Sequence, residues 1–123
     1  MIAGIGVDLI EVDRVTMACG KEGFLRKYFT GREIELILKD IRKAADNFAV
    51  KEAVAKVLGT GFSTFSPIDI EVLRAPSGKP YITLYGRAEE LAREQGITEI
   101  HVSISNTKDY ATAFAVGERA IPT

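Results

Sequence analysis

Tryptophan is missing from this chain, and cysteine and histidine occur once each. A lone cysteine, Cys19, excludes an internal disulfide. No grouping of Cys and His has metal-site spacing, so a thiolate or imidazole metal centre is excluded as well. A reducing, cytoplasmic setting fits. Neither sign of charge is in excess: 16 Lys and Arg against 17 Asp and Glu give a net charge of −1, with no overall pull toward nucleic acid or a membrane surface. Any charged partner must be recognised by a local patch. No apolar run approaches the ~18 residues of a membrane-spanning helix, and the apolar start lacks the basic leader and cleavage site of an exported chain. Repeats, linkers and low-complexity stretches are missing too. What is left, 46% apolar and 27% charged, is ordinary for a globular protein. It predicts one domain, 1–123, large enough to bury roughly two thirds of its unfolded surface.

Apolar periodicity then divides the chain. "IAGIGVDLIEV" reads as a strand, and "EVDRVTMACGKEGFLRKYF" as short helical pieces broken at Gly20 and Gly23. Thr30 and Glu33 make a capping box for a helix whose Ile34, Ile37, Leu38 and Ile41 form a buried stripe. A further helix runs from near Asp46 to Leu58, stopped by the glycines of "GTG". The second half alternates instead. "PIDIEVLR" and "KPYITLYG" form a hairpin across "APSG", with Gly78 at the turn. "RAEELAREQG" is a short helix closed by Gly96, and "EIHVSIS" and "DYATAFAVGE" form a second hairpin across "NTKD". The predicted fold is α+β, a mainly antiparallel sheet with helices packed largely on one face.

Two places stand out. In the first strand Ala3, Ile5, Val7 and Leu9 make an apolar face, while Asp8 points the other way beside two side-chain-free positions, Gly4 and Gly6. That is room for a ligand or metal next to an acid, or else simply a strand end. In "DNFAVKEAVAKVLGTG", Val50, Ala53, Val54 and Val57 form the core stripe, yet the far side with Phe48, Ala49, Glu52, Ala55 and Lys56 is not a solvent face. Glu52 and Lys56 are expected half-buried in a crevice. An ordinary i, i+4 pair worth ~0.2–0.5 kcal/mol is the alternative. Were Asp8 and Glu52 within ~4 Å, they would repel by about 4 kcal/mol at an effective dielectric of ~20 and call for a cation. Two carboxylates with waters and phosphate oxygens suit Mg²⁺, and Lys56 could meet the remaining phosphate charge.

"GIGVDLIEVDRV", "FAVKEAVAKVLGTGF", "SGKPYITL" and "HVSISNTKDYATAFAV" resemble, in order and over nearly the whole chain, the holo-(acyl-carrier-protein) synthases, the small single-domain branch of the phosphopantetheinyl transferases. The resemblance implies Mg²⁺-dependent transfer of the phosphopantetheine arm of coenzyme A to a serine of an acyl carrier protein in fatty acid biosynthesis, with release of adenosine 3′,5′-bisphosphate. It implies Asp8 and Glu52 as metal ligands. Lys56 is the candidate for neutralising pyrophosphate charge, and Glu52, directly or through a water, is the nearest base for the serine hydroxyl. Gly59, Thr60, Lys79, Pro80, Asn106 and Thr107 match positions expected along coenzyme A.

Asn47 and Asn106 stand where the family commonly has Arg and His, which removes possible positive charge near phosphate. The alternative to an enzyme is therefore a coenzyme A or carrier-protein binding module with impaired turnover. The only histidine, His101, is expected at the surface. Acyl carrier proteins are acidic, so Arg14, Arg26 and Lys27, with Lys21 and Arg32 nearby and Phe24 as apolar anchor, form the expected docking patch, tempered by Glu22 and Glu33. The family also implies a homotrimer with active sites between subunits, consistent with "YATAFAV" being apolar on both faces.

Overall fold

The computed structural model describes residues 1–121. The chain order is β1 (Ile2–Glu11), α1 (Val12–Cys19), α2 (Phe24–Tyr28), α3 (Gly31–Lys39), α4 (Arg42–Leu58), β2 (Ile70–Arg74), β3 (Pro80–Leu84), α5 (Gly86–Glu94), β4 (Ile97–Asn106) and β5 (Tyr110–Arg119). All pairing is antiparallel, as expected for this α+β fold, but it is split into two sheets: β1-β5-β4, and the hairpin β2-β3. β2 begins only at Ile70, because Ser66 and Asp69 cap a 3-10 turn over Pro67–Asp69 and take that segment out of the strand. Gly86 likewise opens α5 instead of ending β3.

Helix α4 lies across the larger sheet and forms most of the core with it. Beneath the helix, β5 and β1 present little beyond backbone, β5 supplying Ala111, Ala113, Ala115 and Gly117 and β1 Gly4 and Gly6, while β4 adds Ile100, Val102 and Ile104 at the side. Backbone therefore meets backbone. A Cβ on Gly6 would sit 1.9 Å from the Ala53 carbonyl oxygen, and one on Gly4 2.8 Å from that of Val57. This close seat turns β1 over relative to its apolar pattern. Ile5, Val7 and Leu9 lie on the outer face of the sheet and are 60%, 53% and 65% exposed. The apolar face of β1 is thus the uncovered one, because a flat glycine face admits the helix where branched side chains would hold it away.

The helices begin and end for local reasons. The Thr30–Glu33 capping box is present, and α4 ends at Gly59, which adopts the left-handed conformation at φ 81°. Of the expected α3 stripe only Ile37 is fully buried, with Ile34 partly so. Asp40 ends α3 and accepts a hydrogen bond from the Arg42 amide, so Ile41 falls outside that helix and α4 starts at Arg42, earlier than Asp46. Leu38 is left exposed because the inward line of α3 is Glu33 and Ile37.

Glu33, counted above among surface charges, is instead wholly buried against the equally buried Lys51. Lys51 Nζ donates to Glu33 Oε1 at 2.8 Å, to the Pro67 carbonyl at 2.9 Å and to the Ile70 carbonyl. Asn47 donates to the other Glu33 oxygen and to the Val72 carbonyl, and accepts from Arg74. Every group of this network is satisfied, as buried charge requires. Among the described residues no helix is long and apolar enough to cross a membrane.

Candidate active site

The close seat of α4 on Gly6 brings Glu52 and Lys56 to Asp8. Asp8 lies opposite Ala113 on the helix-covered face of the sheet. Lys56 Nζ is 3.5 Å from Asp8 Oδ1 and donates to the Val7 carbonyl at 2.7 Å. Glu52 is half-buried. Burial first, and the Asp8 carboxylate second, push its carboxyl above the ordinary range, while Lys56 pulls the other way. Glu52 is half-buried as expected, but the Lys56 side chain is about half exposed (54%). The room expected beside Asp8 is not left for a ligand: the helix fills it, and the glycines act by letting α4 approach.

This donor set fits a hard divalent cation. Asp8 and Glu52 offer carboxylate oxygens only, and the Asp8 charge raises the cost of ionising Glu52, a cost that a divalent cation between them would relieve. A second grouping, Glu99, His101 and Glu118, has ligand atoms within 4.8 Å of one another. It lies on the exposed outer face, with His101 as expected at the surface and 2.7 Å from Glu118, and is separate from the Asp8–Glu52 pair.

Asn106 and Thr107 stand at the opposite end of α4 from Gly59, beside its first turns. The Asn106 amide donates to both Asp46 carboxylate oxygens at 3.0 and 3.1 Å. The Thr107 carbonyl accepts from Arg42. Asn47 points into the core network and away from this end. Gly59 spends its N–H on the helix cap, donating to the Ala55 and Lys56 carbonyls, and Thr60 keeps an exposed hydroxyl bonded only locally. Lys79 and Pro80 lie at the β2-β3 turn, closed by Ala75 N–H to the Lys79 carbonyl at 2.9 Å, with Gly78 at φ 89°.

Arg14, Arg26 and Lys27 are exposed, as are Lys21 and Arg32, whereas Phe24 is part-buried and stacks on Tyr28 with ring centres 4.7 Å apart. Arg14 and Phe24 border an open cavity of about 430 Å³ together with Leu9, Ile10, Phe48 and Tyr110. Of the expected docking residues only Arg14 and Phe24 line this cavity, and neither Asp8 nor Glu52 does. Sequence reasoning missed Lys51, Arg42 and Asp46. Lys51 had a signal, since it shares the buried line of Val54 and Leu58 on the helix wheel. Arg42 and Asp46 had none, because their partners lie 60 or more residues away.

Comparison with known proteins places this geometry in a family. Residues 4–115 match the model of the 4′-phosphopantetheinyl transferase superfamily. The holo-(acyl-carrier-protein) synthase of Lachnoclostridium phytofermentans is 57% identical over 118 residues, covering 96% of this chain and 97% of the relative. That of Halothermothrix orenii is 43% identical, covering 96% and 98%. Among solved structures, the Helicobacter pylori holo-(acyl-carrier-protein) synthase in complex with coenzyme A is 30% identical, with a TM-score of 0.83 and coverage of 93% of this chain and 99% of that one. The chain belongs to the holo-(acyl-carrier-protein) synthase family and is a phosphopantetheinyl transferase.

Proposed function

We propose that this protein transfers the phosphopantetheine arm of coenzyme A to a serine of an acyl carrier protein, in the cytoplasm and for fatty acid biosynthesis, with Mg²⁺ held by Asp8 and Glu52. The observation that carries this reading is the meeting of Asp8, Glu52 and Lys56 at the Gly6 seat. The named coenzyme A complex of the Helicobacter pylori relative supports coenzyme A as the substrate.

In the transfer, the serine oxygen bonds to the phosphorus that carries the pantetheine arm. The pyrophosphate P–O bond breaks, and adenosine 3′,5′-bisphosphate leaves with the electron pair. When bound, the metal supplies Lewis-acid neutralisation of the pyrophosphate charge. Lys56, exposed and tethered at the Val7 carbonyl, adds a second positive charge at the same place. Glu52, directly or through a water, is the candidate to take the serine proton. Gly59, Thr60, Lys79, Pro80, Asn106 and Thr107 line the path assigned to coenzyme A. Arg14, Arg26, Lys27 and Phe24 receive the carrier protein, whose acidic surface they complement. The open apolar face of the sheet supports a homotrimer, with active sites completed between subunits.

The test is a mass spectrum of apo acyl carrier protein after incubation with this protein, coenzyme A and Mg²⁺, with a chelator control. Metal-dependent addition of phosphopantetheine is expected, and Asp8→Ala or Glu52→Ala should abolish it. No addition, with coenzyme A still bound, would support a binding module instead.

A further inference from the structure

Among the described residues, Lys56 is the only lysine or arginine in ion-pair contact with Asp8 or Glu52. Its two contacts are unequal. Nζ donates to the Val7 carbonyl at 2.7 Å, on a strand that pairs on one side only. It stands 3.5 Å from Asp8 Oδ1, well beyond the ~2.7–2.9 Å of a charge-assisted hydrogen bond. The ammonium is thus anchored on a neutral carbonyl and only leans on the acid. It can give up Asp8 and keep Val7. The stem has less freedom, because a Cβ on Gly6 would come within 3.0 Å of the Lys56 Cβ: the side chain rises from the helix seat itself, and only its far end can swing. The Asp8 side chain is 19% exposed and that of Lys56 far more so, hence the acid depends on a nearby cation while the lysine does not depend on the acid. One ammonium also answers two carboxylates. At Glu52, burial first and the Asp8 charge second outweigh what Lys56 offsets.

A divalent cation between the two carboxylates would meet this ammonium as a like charge at short range. The two become good neighbours only with an anion between them, and the pyrophosphate of coenzyme A is one. We propose that Lys56 is the resident counterion of the Asp8–Glu52 pair, opposing a divalent cation until substrate phosphate oxygens draw its ammonium off Asp8, so that metal and coenzyme A are held together and metal alone is held weakly. Lys56 is then the residue that couples the two affinities, and by linkage each ligand tightens the other by the same factor. The proposal rests on Asp8 and Glu52 being the metal ligands.

The test uses Mn²⁺ as the probe. Its affinity is measured by electron paramagnetic resonance for wild type, Lys56→Met, Lys56→Arg and Asp8→Ala. Each protein is titrated alone and then with coenzyme A but no carrier protein, so that nothing is transferred, and Mn²⁺ bound by free coenzyme A is subtracted. Methionine keeps an apolar stem on Gly6 and removes the charge. Without coenzyme A, Lys56→Met is expected to bind Mn²⁺ about ten-fold more tightly than wild type, and Lys56→Arg within about two-fold of it. With coenzyme A, wild type should tighten at least about ten-fold and Lys56→Met less than about two-fold. Lys56→Met that binds Mn²⁺ no tighter than wild type overturns the proposal. So does tighter binding on which coenzyme A still acts as strongly as in wild type, since Lys56 then supplies only a diffuse field. If wild type and Asp8→Ala take up Mn²⁺ alike, the metal reading of the pair fails and the proposal falls with it. Mn²⁺ bound by wild type and lost in Asp8→Ala upholds that reading, and the Lys56→Met titrations then decide the counterion role by themselves.

Discussion

Burial and the neighbouring Asp8 carboxylate keep Glu52 protonated to a higher pH than a free glutamate. For an acid whose folded value is raised, the associated stability is fully present below the unfolded value and is lost as pH rises through the folded one. In a metal-free protein, ionised Glu52 therefore works against the fold on the alkaline side of about pH 4.5. Glu52→Gln should accordingly raise the Tm in chelator at pH 8, and the gain should vanish near pH 4. Added Mg²⁺ should stabilise wild type and leave the variant unmoved. A Tm difference that ignores pH would show that repulsion at this pair is absent. Lys51, next in the chain but on the inner side of α4, poses the opposite case. Burial lowers its pKa and raises that of Glu33, and their mutual attraction opposes both shifts. Lys51→Met strands a buried carboxylate and is expected to cost about 3–5 kcal/mol, whereas Lys51→Met with Glu33→Leu should recover much of it. Urea denaturation of the three proteins measures this directly; equal losses in both variants would mean that the pair itself carries the stability.

The approach of α4 to β1 is where packing becomes function. Gly6→Ala would drive a Cβ into the Ala53 carbonyl, and since that atom is helix backbone no side chain can rotate away. The helix must lift, which carries Glu52 and Lys56 away from Asp8. Expected are a loss of at least about 1–3 kcal/mol from overpacking and a larger fractional loss of transfer and Mg²⁺ affinity in protein that is still folded. Gly31→Ala, with nothing within 4 Å of the added methyl, is the control. If Gly6→Ala is destabilised yet transfers at the native rate when folded, the seat does not set the site. This contact also marks the limit of what the sequence discloses. The capping box at Thr30, the stop at Gly59, the hairpin break at Gly78 and the breaks at Gly20 and Gly23 were legible, because each is decided within a few residues. So were Glu52 and Lys56 on one side of a helix apolar nearly all round. The side of β1 that faces α4 was not. Alternation reports which face is apolar, and here the deciding quantity was the distance at which a helix backbone can lie. The Lys51–Glu33 and Asp46–Asn106 pairs join segments far apart in the chain, and no local pattern marks them.

For the molecule as a whole, the side of the β1-β5-β4 sheet turned away from α4 has no cover among the described residues. Ile5, Val7 and Leu9 stand opposite Val116, Phe114 and Thr112, and those in turn stand opposite His101, Ser103 and Ser105. Exposed Phe114 at its centre joins the β1 residues into a contiguous apolar surface, of a kind that monomers seldom leave in water. Small polar side chains along β4 and the charged Glu99–His101–Glu118 group form a polar border around it. Three copies meeting through this face would bury it. Assembly and site geometry would then share the β1 backbone, with Val7 turned outward by its side chain and held by Lys56 through its carbonyl. Phe114→Glu places a charge at the centre of the face without touching the α4 side. The expected outcome by multi-angle light scattering is a trimer for wild type and a monomer for the variant. The wild-type Tm should rise with protein concentration, as linked association requires, and the variant's should not. Transfer should fall with the trimer, and if sites are completed between subunits the loss should exceed what the lowered Tm explains. A wild-type monomer at micromolar concentration with full transfer activity would remove the trimer from the mechanism and leave the apolar face to another partner.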